Sequence, residues 1–265
     1  RISQEFEQQL LSEKTQQIEK LEIFQQIRKI IEKQFDIYTS DLYQMASRLD
    51  QLKRPVIIYI GGAPGTGKSV LATSLATRLG INKVISTDSI REIMRLAFSS
   101  DLLPTLFHST TEAWKGLPME FQASEQLIAG YCLQANQVSL GVRAVVERTV
   151  EEGQNLIIEG THLVPFLHEV AKKNIVDAYH IPISLSIMNE KYHRERFSER
   201  GSSNLRKIEN YYLKRFNEIR NIHEYTLTQC EADEVEVFDN EDFDKTLNLM
   251  IQFSIQKLLK QVNSE

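Results

Sequence analysis

The chain has 265 residues, 42% hydrophobic and 25% charged, a formal charge of −5 and two cysteines. That is apolar material for one sizeable core plus an appendage, without the basic excess that marks a general polyanion binder, so nucleic acid is not an expected partner. Cys132 and Cys230 lie far apart and outside any Cys-x-x-Cys or Cys/His cluster, which excludes a disulfide framework and a zinc site, and no apolar run approaches the roughly 20 residues that span a bilayer; the expected setting is soluble and cytoplasmic, with no membrane association.

Residues 1–54 contain neither Gly nor Pro, and Phe6, Leu10, Ile18, Leu21, Phe24, Ile27, Ile31 and Phe35 recur at steps of three and four or their multiples. This is an amphipathic helical pattern. It predicts a helical extension over 1–54, either packed on the domain that follows or serving as a surface for a protein partner or for self-association. From Pro55 the texture changes to short apolar runs between polar helical stretches. Residues 55–60 read as a buried strand, 68–79 as a helix stopping at Gly80, and 83–86 as a second strand. A long helix is expected near 120–150, then strands at 155–158, within 179–188, and at 234–238. Strands alternating with helices imply a five-stranded parallel sheet covered on both faces. The expected fold is α/β: a three-layer α/β/α P-loop domain over 55–265, preceded by the helical extension.

Between the first strand and its helix stands Gly62-Ala-Pro-Gly-Thr-Gly-Lys-Ser69, which satisfies G-x-x-x-x-G-K-[ST] in the strand–loop–helix setting its chemistry needs. Glycines let backbone N–H groups turn inward, and the helix N-terminus favours negative charge, so such a loop wraps phosphates. Gly62, Ala63, Pro64, Gly65, Thr66, Gly67, Lys68, Ser69 and Val70 are the expected ATP-binding residues. Lys68 would reach the β and γ oxygens and Ser69 would ligate Mg2+. No Asn-Lys-x-Asp sequence and no apolar run ending in Asp-Glu occurs, which weakens the switch-GTPase and remodelling-ATPase readings.

The second strand runs into Thr87-Asp88-Ser89-Ile90-Arg91. The carboxyl ends of parallel strands are where ligands bind, so Asp88 is a candidate general base and Arg91 a candidate bidentate anchor for an anionic acceptor. Asp88 read alone is equally a helix N-cap. Glu159, at the tip of the third strand, faces the same crevice and would position the acceptor or hold Mg2+ through water; His162, in the loop that follows, reads on its own either as a structural histidine or as a ligand for an acceptor phosphate or carboxylate. Arg194, Arg196 and Arg200 fall where small-molecule kinases often carry a mobile lid. There they would neutralise charge on the transferring phosphoryl group, with Arg200 and Arg194 favoured over Arg196. Trp114, the only tryptophan, reads first as a packing residue, and Lys115 as either an acceptor cation or a solvated side chain.

Taken together, Gly61–Ser69, Val84–Glu92, His108–Lys115 and Ile157–Pro165, with weaker support from His193–Arg200 and Val237–Asn240, resemble the 2-phosphoglycerate kinases over roughly residues 55–255. The resemblance implies ATP-dependent phosphorylation of the 3-hydroxyl of 2-phosphoglycerate, a small anionic phosphorylated substrate, to give 2,3-bisphosphoglycerate. It also implies that His108, Trp114 and Lys115 belong to an acceptor-binding lid, and it strengthens His162 as an acceptor ligand. Distant relatives with this domain act in inositol phosphate metabolism. Polynucleotide and nucleotide-sugar kinases, which also place Asp and Arg after the second strand, remain alternatives, as does a slow ATP-dependent regulatory module.

Overall fold

A computed structural model of the chain describes residue 49 and residues 52–117, 125–167, 177–198 and 211–264. The chain divides into two units, Arg1–Leu52 and Lys53–Glu265, and all the elements named below belong to the second. The helical extension expected over 1–54 lies outside the described residues, apart from a few at its end.

Strand β1 (Val56–Gly62) is followed by helix α1 (Lys68–Leu79), β2 (Lys83–Ser86) and α2 (Thr87–Ala97). Two short 3-10 helices, Pro104–Phe107 and Thr110–Gly116, lead to the long α3 (Gln126–Glu151). Then come β3 (Leu156–Glu159), a 3-10 helix Thr161–Phe166, β4 (Tyr179–Ser186), α4 (Glu190–Ser198), α5 (Phe216–Ala232), β5 (Glu236–Asp239) and α6 (Phe243–Val262). The five strands pair in parallel in the order β2-β3-β1-β4-β5. This is the expected parallel α/β architecture.

Every residue of β1 is buried, as a strand of β-branched residues paired on both sides should be. Its side chains alternate between faces. Ile57 and Tyr59 join Ile90 and Met94 of α2, and Val138, Val142 and Val146 of α3, in one core cluster. The opposite face meets α1, which packs on α6 and buries Leu71, Leu75 and Leu79. Burying a side chain of this kind contributes about 1.5–3 kcal/mol, so the sheet is held from both sides.

Element ends differ from the sequence expectation where backbone pairing outlasts the apolar run. β1 continues through Gly61 and Gly62 because they pair with Ser184 and Leu185; a Cβ on Gly62 would stand 2.4 Å from the Leu185 carbonyl oxygen. β3 includes Glu159, which pairs with Ile60 and Ser86. β5 starts at Glu236, not 234, because Glu234 adopts φ 55 in the turn that ends α5. There the Val235 N–H bonds back to the Cys230 carbonyl.

Gly130 of α3 fixes the position of the 3-10 helix Thr110–Gly116, since a Cβ there would lie 2.3 Å from Trp114 N. Gly130→Ala should therefore destabilise the protein by about 1–3 kcal/mol through overpacking, although Ala is the better helix former by about 1 kcal/mol. Urea unfolding checks this; an unchanged or raised midpoint would mean that the two helices are free to separate.

Candidate active site

The phosphate loop is shaped by where its carbonyls point. Gly65 (φ 84) and Gly67 (φ 88) take left-handed conformations that cost a Cβ-bearing residue about 1 kcal/mol or more. Lys68 Nζ donates to the Ala63 carbonyl at 2.7 Å, and Thr66 Oγ1 donates to the same oxygen at 3.0 Å. His193 Nε2 lies 2.9 Å from the Pro64 carbonyl oxygen, and Asn240 Nδ2 donates to the Thr66 carbonyl at 2.9 Å. In a trans peptide the C=O and the following N–H point in opposite directions. Anchoring the carbonyls of Pro64 and Thr66 outward thus turns the amides of Gly65 and Gly67 the other way.

Beside this loop is a cavity of about 270 Å³ lined by Gly67, Lys68, Ser69, Asp88, Arg91 and Glu159, among others. Ser69 Oγ donates to Glu159 Oε1 at 2.9 Å. Burial raises the Glu159 carboxyl above its ordinary range, against the pull of Lys68 and the Ser69 hydrogen bond. The pair supplies hard oxygen donors next to a phosphate site, the donor set Mg2+ prefers. Among the described residues no group of three or more His, Cys, Asp or Glu gathers to hold a metal.

Asp88 occupies the first turn of α2 and lines the cavity with its side chain 66% exposed. It is not the helix cap: Ser86 fills that role, accepting from Ser89 N at 3.1 Å. Asp88 is therefore free of capping and faces the cavity. Arg91 also lines it, but its fork is committed. Nη1 donates to the carbonyls of Leu106 and His108, both at 3.1 Å, and Nη2 pairs with Glu92 at 3.1 Å. Only Nε, 3.5 Å from Asp88 Oδ1, is buried without a hydrogen-bond partner. The bidentate fork expected from the sequence is already engaged, Nη1 by two carbonyls and Nη2 by Glu92, so Arg91 brings the cavity its positive charge and not a free fork.

His162 stands behind the cavity wall, not in it, and is 1% exposed. Gln134 donates its amide to the carbonyls of Thr105 and His108 at 2.6 and 2.9 Å. That leaves Gln134 Oε1 to accept from His162 Nε2 at 3.2 Å, so His162 Nδ1 accepts from Thr87 Oγ1 at 2.8 Å. Both ring nitrogens are occupied by neutral partners, and burial pushes the ring down to about 4. Its expected place as an acceptor ligand is not what the geometry gives, because Thr87 and Gln134 claim the ring.

Of the other candidates, His108 contributes its backbone carbonyl, and neither it nor Trp114 or Lys115 lines the cavity. Trp114 is 37% exposed, and Lys115 is ion-paired to Glu112. Arg194 lies with its guanidinium 4.2 Å above the Phe216 ring, away from the cavity. Arg196, ranked below it on sequence, is the one beside the loop: it donates to the Asn240 carbonyl, and a Cβ on Gly67 would come 2.9 Å from its Nη1. Arg200 lies outside the described residues. Unforeseen in the sequence were Ser86, Ser109, Thr110, Thr111, Thr161, Phe197 and Tyr212 on the cavity wall and the two loop anchors, His193 and Asn240. His193 and Asn240 carried a signal, since both stand in the weaker matching segments.

A phosphate loop opening a helix, with buried Lys68, Ser69 and two carboxylates at the carboxyl ends of a parallel sheet, defines an ATP-dependent P-loop kinase. A family model described as an AAA domain matches residues 58–219. The 2-phosphoglycerate kinase of Methanopyrus kandleri is 34% identical over 98% of this chain and 78% of its own length. That of Methanocaldococcus jannaschii is 42% identical over 76% of this chain and 64% of its own. The chain belongs to the 2-phosphoglycerate kinase family. Among solved structures, a gluconokinase from Sinorhizobium meliloti 1021 aligns with a TM-score of 0.44 at 12% identity, over 80% of this chain and 97% of its own.

Three histidines around the site are held neutral. Burial lowers His193 to about 4 and His223 to about 3, beside His162 at about 4. Each folded value lies below the unfolded one, near 6.5. As pH falls from 6.5 towards 4 the unfolded chain takes up protons that the folded chain refuses, and stability is lost. Glu159, raised by burial, works in the opposite sense. The Tm should fall between pH 7 and pH 5, and His193→Gln should flatten the drop; a Tm independent of pH across that window would refute neutral burial.

Proposed function

We propose that this chain transfers the γ-phosphoryl group of ATP to the 3-hydroxyl of 2-phosphoglycerate, giving 2,3-bisphosphoglycerate and ADP. The observation that carries the reading is the meeting of Lys68, Asp88, Arg91 and Glu159 on one cavity. The relatives' names supply the acceptor.

In this reading the inward amides of the loop and Lys68 hold the β and γ phosphates, and Lys68 offsets charge that builds on the equatorial oxygens. Asp88 accepts the proton of the acceptor hydroxyl as its oxygen bonds to phosphorus and the bond to the ADP oxygen breaks. Arg91, fixed to the carbonyls of Leu106 and His108, lends its positive charge to the acceptor's side of the cavity. Ser109, Thr110 and Thr111 offer hydroxyls to the acceptor's phosphate and carboxylate. Ser69 and Glu159 would hold Mg2+, which would supply positive charge to the phosphate oxygens. Arg196 lies on the nucleotide side, and His162 acts through Thr87 and Gln134 without touching substrate.

ADP release from Mg-ATP, measured with 2-phosphoglycerate, 3-phosphoglycerate, inositol phosphates and a 5′-hydroxyl oligonucleotide, tests the reading. Stimulation by 2-phosphoglycerate alone, with a bisphosphorylated product, is expected; stimulation by a different acceptor would replace it. Asp88→Asn should keep ATP binding while kcat falls about 100-fold or more, and full activity would sink the general-base assignment. Lys68→Ala should lower kcat by about 100- to 1000-fold, read in the same assay.

A further inference from the structure

Glu112 is a carboxylate set one residue from a wall that, on the reading above, receives a phosphorylated acceptor. Left alone it would repel that acceptor. Its side chain is 18% exposed and takes donors from several directions. Lys115 Nζ comes from its own 3-10 helix, while Arg215 Nη2 at 2.6 Å and Tyr211 Oη at 2.7 Å arrive from about a hundred residues away. Ser109, on the cavity wall, hydrogen bonds to the Tyr211 hydroxyl and reaches Glu112 Oε2 at 3.4 Å. Burial raises the Glu112 carboxyl, but the bonds from Lys115, Arg215 and Tyr211 outweigh it and hold it down at about 2. The cluster of one carboxylate and two cations is net positive on the acceptor side.

The residue after each distant donor packs elsewhere. Tyr212, next to Tyr211, stacks on Phe197 with ring centroids 5.2 Å apart, and Phe216, next to Arg215, meets the same ring edge-on at 6.3 Å. Phe197 covers the phosphate loop, its Cζ 2.3 Å from where a Cβ on Gly65 would stand. One short stretch, 211–216, thus grips Glu112 with two residues and the cover of Gly65 with the two that follow them.

We infer that Glu112 is a positioning residue: through Tyr211 and Arg215 it fastens the acceptor wall, Ser109 to Thr111, to the aromatic cover of the phosphate loop, so that nucleotide bound at Gly65 is felt at the acceptor wall. Discrete packed contacts of this kind transmit a shift because rings and hydrogen bonds have few alternative arrangements. The inference rests on the proposed reading for the wall's role, and the coupling itself does not depend on which acceptor is used.

Trp114 lies in the same 3-10 helix as Glu112, with Lys115 Nζ 5.8 Å from its ring centroid, and as the only tryptophan it reports on that helix alone. The test titrates the whole chain with Mg2+ and a non-hydrolysable ATP analogue, following Trp114 emission and, by calorimetry, binding itself. The wild type should change its emission on binding. Glu112→Gln and Tyr211→Phe should bind the analogue within about threefold of wild type and lose most of the emission change, while Arg215→Lys, which keeps the cation, should recover part of it. The inference is overturned if the wild type binds without an emission change, or if Tyr211→Phe, which removes one hydroxyl and should fold even where Glu112→Gln does not, keeps the full change. With an acceptor that turns over, both variants should raise its KM by about tenfold and leave the KM for ATP near wild type. Failure of 2-phosphoglycerate as acceptor would defeat the proposed function and leave the emission test standing.

Discussion

The peptide plane is the constraint on which the site depends: an amide of the phosphate loop can face an anion only if the carbonyl bonded to it faces a donor. Two loop amides, those of Gly65 and Gly67, have such a carbonyl behind them, and the donors come from separate parts of the chain. His193 lies on α4 beyond β4 and holds the Pro64 carbonyl, and Asn240 follows β5 and holds the Thr66 carbonyl. The loop conformation is therefore a tertiary property of the whole sheet, although its sequence is local. Glycine permits the turn, and distant donors select it from among the turns glycine permits.

The electrostatics follow the same economy of buried groups. An acidic chain has to present positive potential in one place, and it does so with few full charges. Lys68 is 8% exposed and bonded to a loop carbonyl, and Arg91 is pinned by two carbonyls. The histidines that pack around these cations are kept neutral by burial, so they donate or accept hydrogen bonds without adding charge. A protonated His162 would lose its bond from Thr87 and sit against Lys68 and Arg91. Glu159 stands at the opposite extreme, a buried carboxyl next to the phosphate loop, raised by burial against the pull of Lys68 and Ser69.

The sheet was legible because its strands are β-branched runs bounded by glycine and polar turns, as in Val56-Ile-Ile-Tyr-Ile60, and because parallel strands leave little freedom in how helices cover them. The loop and the place of Asp88 on the cavity wall were legible because both follow directly from the ends of strands. Less legible was anything decided by a partner far along the chain. His162 read as a ligand for an acceptor phosphate or carboxylate because nothing local announces that Gln134, 28 residues earlier, spends its amide on two carbonyls and leaves its oxygen for the ring. Arg196 was passed over for Arg194 because helical spacing says which residues share a face, and only the β5–α6 connection says which face meets the phosphate loop. The hydroxyls at Ser109, Thr110 and Thr111 were hidden by their neighbours, since Trp114 and Lys115 look more chemical and yet point elsewhere.

The two ends of the cavity are built from different materials, and that difference bears on what can change. At the nucleotide end the contacts are backbone amides, fixed by carbonyl anchors and by glycines where a Cβ would collide, so few substitutions can alter what is bound without losing the loop. At the other end the wall includes Arg91 of α2 and three consecutive hydroxyl side chains, Ser109 to Thr111, at the start of a short 3-10 helix packed against Gly130. On the proposed reading, the acceptor would be told apart by side chains, whereas the phosphoryl donor would be held mainly by backbone. A fold that separates the two in this way can keep its reaction while its acceptor changes.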